Sequence, residues 1–201
     1  MATTTKTQGS IAAQEGEALL WLVRHTIAQA LGVPIPPQPA GFKELLDGQS
    51  LRARQGTFVT LERQGELRGC IGNLVSDDSI VEGVRRNALS AAFHDTRFRP
   101  LAADEYAEIT VSVSVLTQPS PLAYADGDDL ITRLRPGIDG VILRQGSYGA
   151  TFLPQVWEQL PDPAEFLGHL CRKAMLPASA WRSGDLEVSI YQVQYFSEKQ
   201  G

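Results

Sequence analysis

Leu67-Arg68-Gly69-Cys70-Ile71-Gly72-Asn73 sets a thiol between glycines and beside an arginine, joining reactive chemistry to unusual backbone freedom. Read as a strand, it sends Leu67, Gly69 and Ile71 to one face and Arg68, Cys70 and Gly72 to the other. The apolar set then looks into a core. On the opposite face a thiol lies two residues from a guanidinium, and Gly69 and Gly72 leave room for a backbone or ligand to come close. Cys70 is therefore a candidate nucleophile, its thiolate favoured by the cation of Arg68. The plainer reading makes Cys70 a small buried apolar residue and the glycines the mark of a bulge or tight packing.

Working outward, Gly56 to Gly72 holds two β-prone runs separated by Arg63-Gln64-Gly65-Glu66, which predicts a hairpin with Cys70 in its second strand. After Leu74, Ser76 is a candidate N-cap for a helix whose first turn carries Asp77 and Asp78. Ile80, Val81, Val84, Ala88, Ala91 and Ala92 form its apolar stripe, with Glu82, Arg86 and Ser90 on the solvated side. Where this helix ends, His94-Asp95-Thr96-Arg97-Phe98-Arg99-Pro100 concentrates ionisable groups on a loop. Asp95 and Arg97 are suited either to pair and order the turn or to offer a bidentate site to an anion. His94 is a secondary candidate, as general base to Cys70.

The remaining chain reads as alternating helices and strands. Ser10 to Leu31 carries Ile11, Ala18, Leu19, Leu22, Val23 and Ala30 on one side of a helix capped by Ser10 and ended by Gly32 and Pro34, and the proline-rich Val33 to Gly41 is an extended connector. Ile109 to Val115 alternates apolar with small polar residues, as a strand with one buried face does. Asp126 to Leu134 predicts a short helix, Asp139-Gly140 a turn into Val141-Ile142-Leu143, and Ala150 to Leu153 a partner strand. Gln155 to Leu160 predicts a short helix, and Asp162-Pro163-Ala164-Glu165 starts another with Cys171 in its packing edge. Leu186 to Phe196 closes the fold as one strand. Residues 1–9 read as a disordered N-terminal tail and 197–201 as a C-terminal tail.

Composition bounds the function. A net charge of -5 with 20% charged residues argues against a protein whose main task is holding nucleic acid. No apolar run approaches a bilayer span and the polar start has no signal-peptide core, so the reading is no membrane and a cytoplasmic location. Cys70 and Cys171 are expected to be reduced, and neither CxxC nor HxxxH spacing occurs, so no metal and no cofactor are expected. The glycines at 137, 140, 146 and 149 lack the lysine of a phosphate loop and read as hairpin turns.

The heptad around Cys70 resembles the signature of the AMMECR domain family, also called AmmeMemoRadiSam system protein A. Further segments are similar to the family's in the same order: Ala92-Phe93-His94-Asp95-Thr96-Arg97-Phe98, the strand Ile109–Leu116 followed by Pro119, Gly137-Ile138-Asp139-Gly140-Val141-Ile142, and Ala150-Thr151-Phe152-Leu153-Pro154-Gln155-Val156. The likeness runs from Ile11 to Phe196. It implies a mixed α and β fold with a cleft beside the cysteine motif, and a family without an assigned reaction. It also implies association with a Memo-like protein and a radical S-adenosylmethionine enzyme. Because the family does not require histidine before the aspartate, the resemblance favours Asp95 and Arg97 over His94.

Together these readings predict an α+β domain over residues 10–196, an antiparallel sheet packed with helices, with a smaller lobe allowed by the proline-rich connectors. The leading functional reading is a cytosolic cleft protein that binds a small molecule or peptide as an accessory component of a modification system. Arg68, Asn73, Asp95 and Arg97 would supply polar recognition, and Gly69 and Gly72 the close approach. The alternatives are a stand-alone enzyme with Cys70 as nucleophile, and a structural adaptor. Whether the chain is itself an enzyme stays open at this point.

Overall fold

The structure, a computed structural model describing residues 10–198, contains two four-stranded antiparallel sheets with helices, an α+β fold. Its two compact units are a first that runs to Leu116 and resumes at Gln194, and a second over Thr117–Val193. The expected tail over residues 1–9 lies outside the described residues. No helix among those described is long and apolar enough to cross a membrane.

In the first unit, helix α1 (Ala13–Leu31) leads through the extended connector to a short α2 (Phe42–Leu46) and a 3₁₀ turn at Ser50–Arg52. Ser10 does not cap α1. The N-cap is Ala12, whose amide is taken by the Glu15 carboxylate, while Gly32 closes the helix at φ 68°. Its buried stripe continues through Ile27 and Ala28, and Ala30 is exposed. Strands β1 (Thr57–Arg63) and β2 (Glu66–Asn73) form the predicted hairpin, with Gln64 and Gly65 both at positive φ as a two-residue turn requires.

Helix α3 (Ile80–Phe93) starts three residues later than Ser76 suggests, because Ser79 and Glu82 complete a capping box. Ser76 instead accepts the Asp78 amide, and Asp78 pairs with Arg86. Strand β3 (Ile109–Leu116) is central, in the order β2-β1-β3-β8 with β8 at Val193–Ser197, and its polar side chains are buried too: Ser112 and Ser114 are 6% and 8% exposed. α1 and α3 cover one face of this sheet, where Val59, Leu61, Val111, Val113 and Val115 join a core with Leu19, Leu22, Ile80 and Val84. Asn87 is buried on α3 and donates to the Thr57 carbonyl and hydroxyl, so its amide is satisfied.

The second unit holds β4 (Ser120–Pro121), α4 (Gly127–Arg133), the hairpin β5 (Gly140–Gln145) and β6 (Tyr148–Phe152), α5 (Pro163–Lys173) and β7 (Glu187–Tyr191), in the sheet order β4-β7-β5-β6. Asp126 and Asp162 cap α4 and α5 as their positions suggest. Pro154–Glu158 and Ala180–Ser183 are 3₁₀ turns. Trp157 stacks on Phe166 in the core of this unit, with their ring centroids 3.7 Å apart, and Cys171 is fully buried beside them.

The closing segment is not one strand. Gln192 separates β7 from β8 (Val193–Ser197), and the two belong to different sheets. Nor is its end a tail from residue 197. Ser197 completes β8, and the Glu198 carboxylate accepts from Arg24 at 2.8 Å and from the Val111 amide at 2.9 Å.

Candidate functional site

Strand β2 is an edge strand, and an unpaired edge leaves backbone donors and acceptors open. At Cys70 the loop after α3 closes that edge with side chains. Asp95 Oδ2 accepts the Cys70 amide at 2.9 Å, and Arg97 Nη2 donates to the Cys70 carbonyl at 3.2 Å. Asp95 and Arg97 join each other through two further bonds, of 2.7 and 2.9 Å, and Asp95 also accepts the Arg97 amide. A carboxylate and a guanidinium thus do for one residue what a neighbouring strand would do. The bonds from Arg97, with those from the Cys70 and Arg97 amides, hold the Asp95 carboxyl well below the usual carboxylate range. Arg97 is raised in turn, above all by its bonds to Asp95. The structural pairing anticipated for Asp95 and Arg97 is present, and it is centred on Cys70.

The two glycines are packing positions. A Cβ on Gly69 would lie 2.2 Å from the Ala91 carbonyl oxygen of α3, and one on Gly72 would lie 2.3 Å from both the Thr57 oxygen and the Phe58 ring. Gly69 therefore lets α3 settle against β2, and Gly72 lets the Phe58 ring lie across its strand partner. This matches the plainer reading of the glycines.

Strict alternation fails at Arg68. Leu61 pairs with Gly69 and Glu62 with Leu67, which leaves Arg68 as the extra residue of a β-bulge. Leu67 is consequently 43% exposed instead of joining Gly69 and Ile71 at the core. The Arg68 guanidinium is committed to Glu105, with bonds of 2.8 and 2.9 Å, so its role as the cation beside the thiol is corrected. The arginine that touches Cys70 is Arg97, through the Cys70 carbonyl. Glu105 also accepts from the Ala102 amide and from Arg63, and Arg68 above all brings its carboxyl down to about 2.

The Cys70 side chain lies on the face turned away from α1 and α3 and is half-buried, and the Thr60 hydroxyl donates to its sulfur at 3.2 Å. Register places Thr60 between Cys70 and Ser112, and Phe58 between Gly72 and Ser114. The thiol therefore sits at the edge of a row of small hydroxyl side chains. His94 is the exposed C-cap of α3, donating its amide to the Ser90 carbonyl, and Asn73 is exposed at the end of β2. A depression of about 460 Å³ adjoins the motif at Arg68, lined by Arg63, Phe98, Arg99, Pro100 and Glu105 among others. Cys70, Asn73, Asp95 and Arg97 are not among its lining residues.

Thr60, Ser112 and Glu105 were not singled out by sequence. Thr60 and Ser112 carry only the alternation of their strands, and pairing alone brings them to Cys70. Glu105 has no local signal, since its partner is 37 residues away. Among the described residues no group of three or more His, Cys, Asp and Glu side chains gathers as a metal ion would require.

Comparison with known proteins bears on the fold and the family. Protein Mbar_A1807 of Methanosarcina barkeri is 41% identical over 189 residues, covering 92% of this chain and 91% of that protein. Protein MK0488 of Methanopyrus kandleri is 37% identical over 193 residues, covering 93% and 90%. The crystal structure of the uncharacterised protein PH0010 from Pyrococcus horikoshii superposes with a TM-score of 0.78 at 32% identity, over 94% of each chain. The AMMECR1 family model matches residues 20–196, and with this coverage the chain belongs to the AMMECR1 family.

Proposed function

We propose that the protein is a cytosolic binding component of a modification system, with the surface around Cys70 at the β2 edge as its recognition surface. The observation that carries this reading is the clamp on the Cys70 backbone: Asp95 holds its amide and Arg97 its carbonyl. A carboxylate so strongly acidified is a poor general base, and its bonds serve to fix the motif's shape. The half-buried Thr60 hydroxyl and Phe58 ring offer polar and apolar contacts to a small molecule or peptide beside the thiol. The resemblance of the motifs supports a Memo-like protein and a radical S-adenosylmethionine enzyme as partners. The test mixes the purified protein with each of these two from the same organism, and captures small molecules on wild type and on Cys70→Ala. Co-elution with a partner, kept in Cys70→Ala, is the expected result. A product formed by the isolated protein and abolished in Cys70→Ala would overturn it.

A second reading keeps Cys70 as a nucleophile, favoured by the half-buried sulfur and by the Arg97 guanidinium bonded to the Cys70 carbonyl. Cys171→Ser leaves Cys70 alone to react, and Cys70→Ser leaves only Cys171. Cys171 is 0% exposed and burial raises its pKa, so Cys70 should alkylate faster with a small uncharged reagent, by about 100-fold in the native protein. Equal, slow rates would retire the nucleophile.

A further inference from the structure

Away from the cysteine motif, the second unit has a groove of about 370 Å³ between α5 and the Ala180–Ser183 turn. Its floor includes Gly168 and Trp181, both buried, and its walls carry His169, Arg172, Ser179 and Arg182, with Glu165 also lining it. Elsewhere arginines such as Arg97 and Arg135 hold carboxylates. Among the described residues no ion pair engages Arg172 or Arg182, although the chain carries 23 acidic residues against 18 basic ones. Arg52, Arg85, Arg99 and Arg144 are likewise outside the ion pairs, so what sets Arg172 and Arg182 apart is that both line one groove.

Each arginine has a local explanation taken singly. Arg172 stands in the last turn of α5, where a cation offsets the helix dipole, and Arg182 lies over the Trp181 ring at 4.2 Å. Neither reason requires both to line the same groove. Stacking on a buried indole also holds the Arg182 guanidinium in place before any ligand arrives, which lowers the ordering cost of binding.

We propose that this groove binds a small phosphate-bearing molecule. Two guanidinium forks match the terminal oxygens of a phosphate monoester, and the Ser179 hydroxyl and a His169 ring N–H add donors at the same wall. The two arginines outweigh Glu165, so a dianion is favoured over a neutral or cationic ligand. The volume suits a phosphate with a short organic group. The site lies wholly within the second unit and does not depend on the reading of Cys70.

The experiment is an NMR titration of the ¹⁵N-labelled full chain with inorganic phosphate and with glycerol 3-phosphate, at ionic strength held constant with sodium chloride. The amides of Gly168 and Ser179 and the arginine Nε–H signals should shift and saturate. Arg172→Gln and Arg182→Gln should each weaken binding about tenfold, and Glu165→Gln should tighten it about threefold by removing the opposing carboxylate. Should Arg182→Gln unfold by uncovering Trp181, Arg172→Gln and Glu165→Gln decide, both being exposed helix positions. Shifts that fail to saturate, or that are unchanged in these variants, would overturn the proposal and leave both arginines as solvated charges.

Discussion

The carboxylates of Asp95 and Asp139 are both sealed from water, and each is held by a nearby arginine whose side chain is half exposed, 55% for Arg97 and 51% for Arg135. Their remaining bonds differ. Asp139 accepts from the Arg135 amide and guanidinium, four residues away, so its carboxylate closes its own turn, while its carbonyl receives the Trp157 indole. Asp95 accepts from Arg97 and also from the amide of Cys70, 25 residues earlier in the chain. The same local pair is a turn lock in the second unit and a tie between a loop and an edge strand in the first. The difference teaches that an ion pair between near neighbours says little by itself. Its longest-range hydrogen bond says what it positions.

The largest effect should come from contrasting one helix-packed glycine in each unit. Gly69→Ala forces a Cβ against the Ala91 carbonyl, so α3 or β2 must move, and we expect a loss of about 3 kcal/mol in chemical denaturation. Gly168→Ala in α5 meets its neighbour at an ordinary 3.5 Å and should be neutral or gain up to about 1 kcal/mol from helix propensity. Equal costs at the two positions would remove the argument that β2 is specially close-packed.

Next in size are the carboxylates themselves. Asp95→Asn and Asp139→Asn should each cost about 2 kcal/mol, since each leaves charge-assisted bonds weakened in a buried place. Only Asp95→Asn should change the alkylation rate of Cys70, because only Asp95 touches the motif. An unchanged rate in both variants would show that the clamp does not govern the thiol's surroundings.

The smallest effect is the acid limb. The Glu105 carboxyl falls from an ordinary 4.5 to about 2 on folding, so between those values the unfolded chain binds more protons than the folded one. Its contribution to stability is whole above pH 4.5 and is lost as pH falls toward 2. Asp95, depressed in the same sense, loses its contribution on the same acid side. Glu105→Gln should flatten the fall in stability between pH 4.5 and 3 as followed by urea midpoints, and an unchanged slope would remove Glu105 from the account.

Local chemistry carried far in this chain. Gln64-Gly65 determines the first hairpin, Gly32 the end of α1, and Asp126 and Asp162 the starts of α4 and α5, because turn and cap preferences act within four residues. The motif itself was legible too, since a cysteine between glycines stands out wherever it folds. Competing local signals were settled less well. Ser76 and Ser79 both precede the α3 stripe, and the choice rests on Glu82 completing the box with Ser79.

What the tertiary structure alone decided were the facts that depend on partners distant in sequence. The bulge at Arg68 is a property of the pairing with β1, and it releases Leu67 to solvent. Glu105, 37 residues on, takes the guanidinium that proximity in sequence assigned to the thiol. Leu186 to Phe196 alternates like a single strand, yet Gln192 divides it between two sheets, because alternation records which face is covered and carries no mark of which sheet supplies the hydrogen bonds. Asp95 and Arg97 were visible as a pair from the start. That they hold Cys70 from both sides required β2 to be an edge, and a strand's place in a sheet is written only in its neighbours.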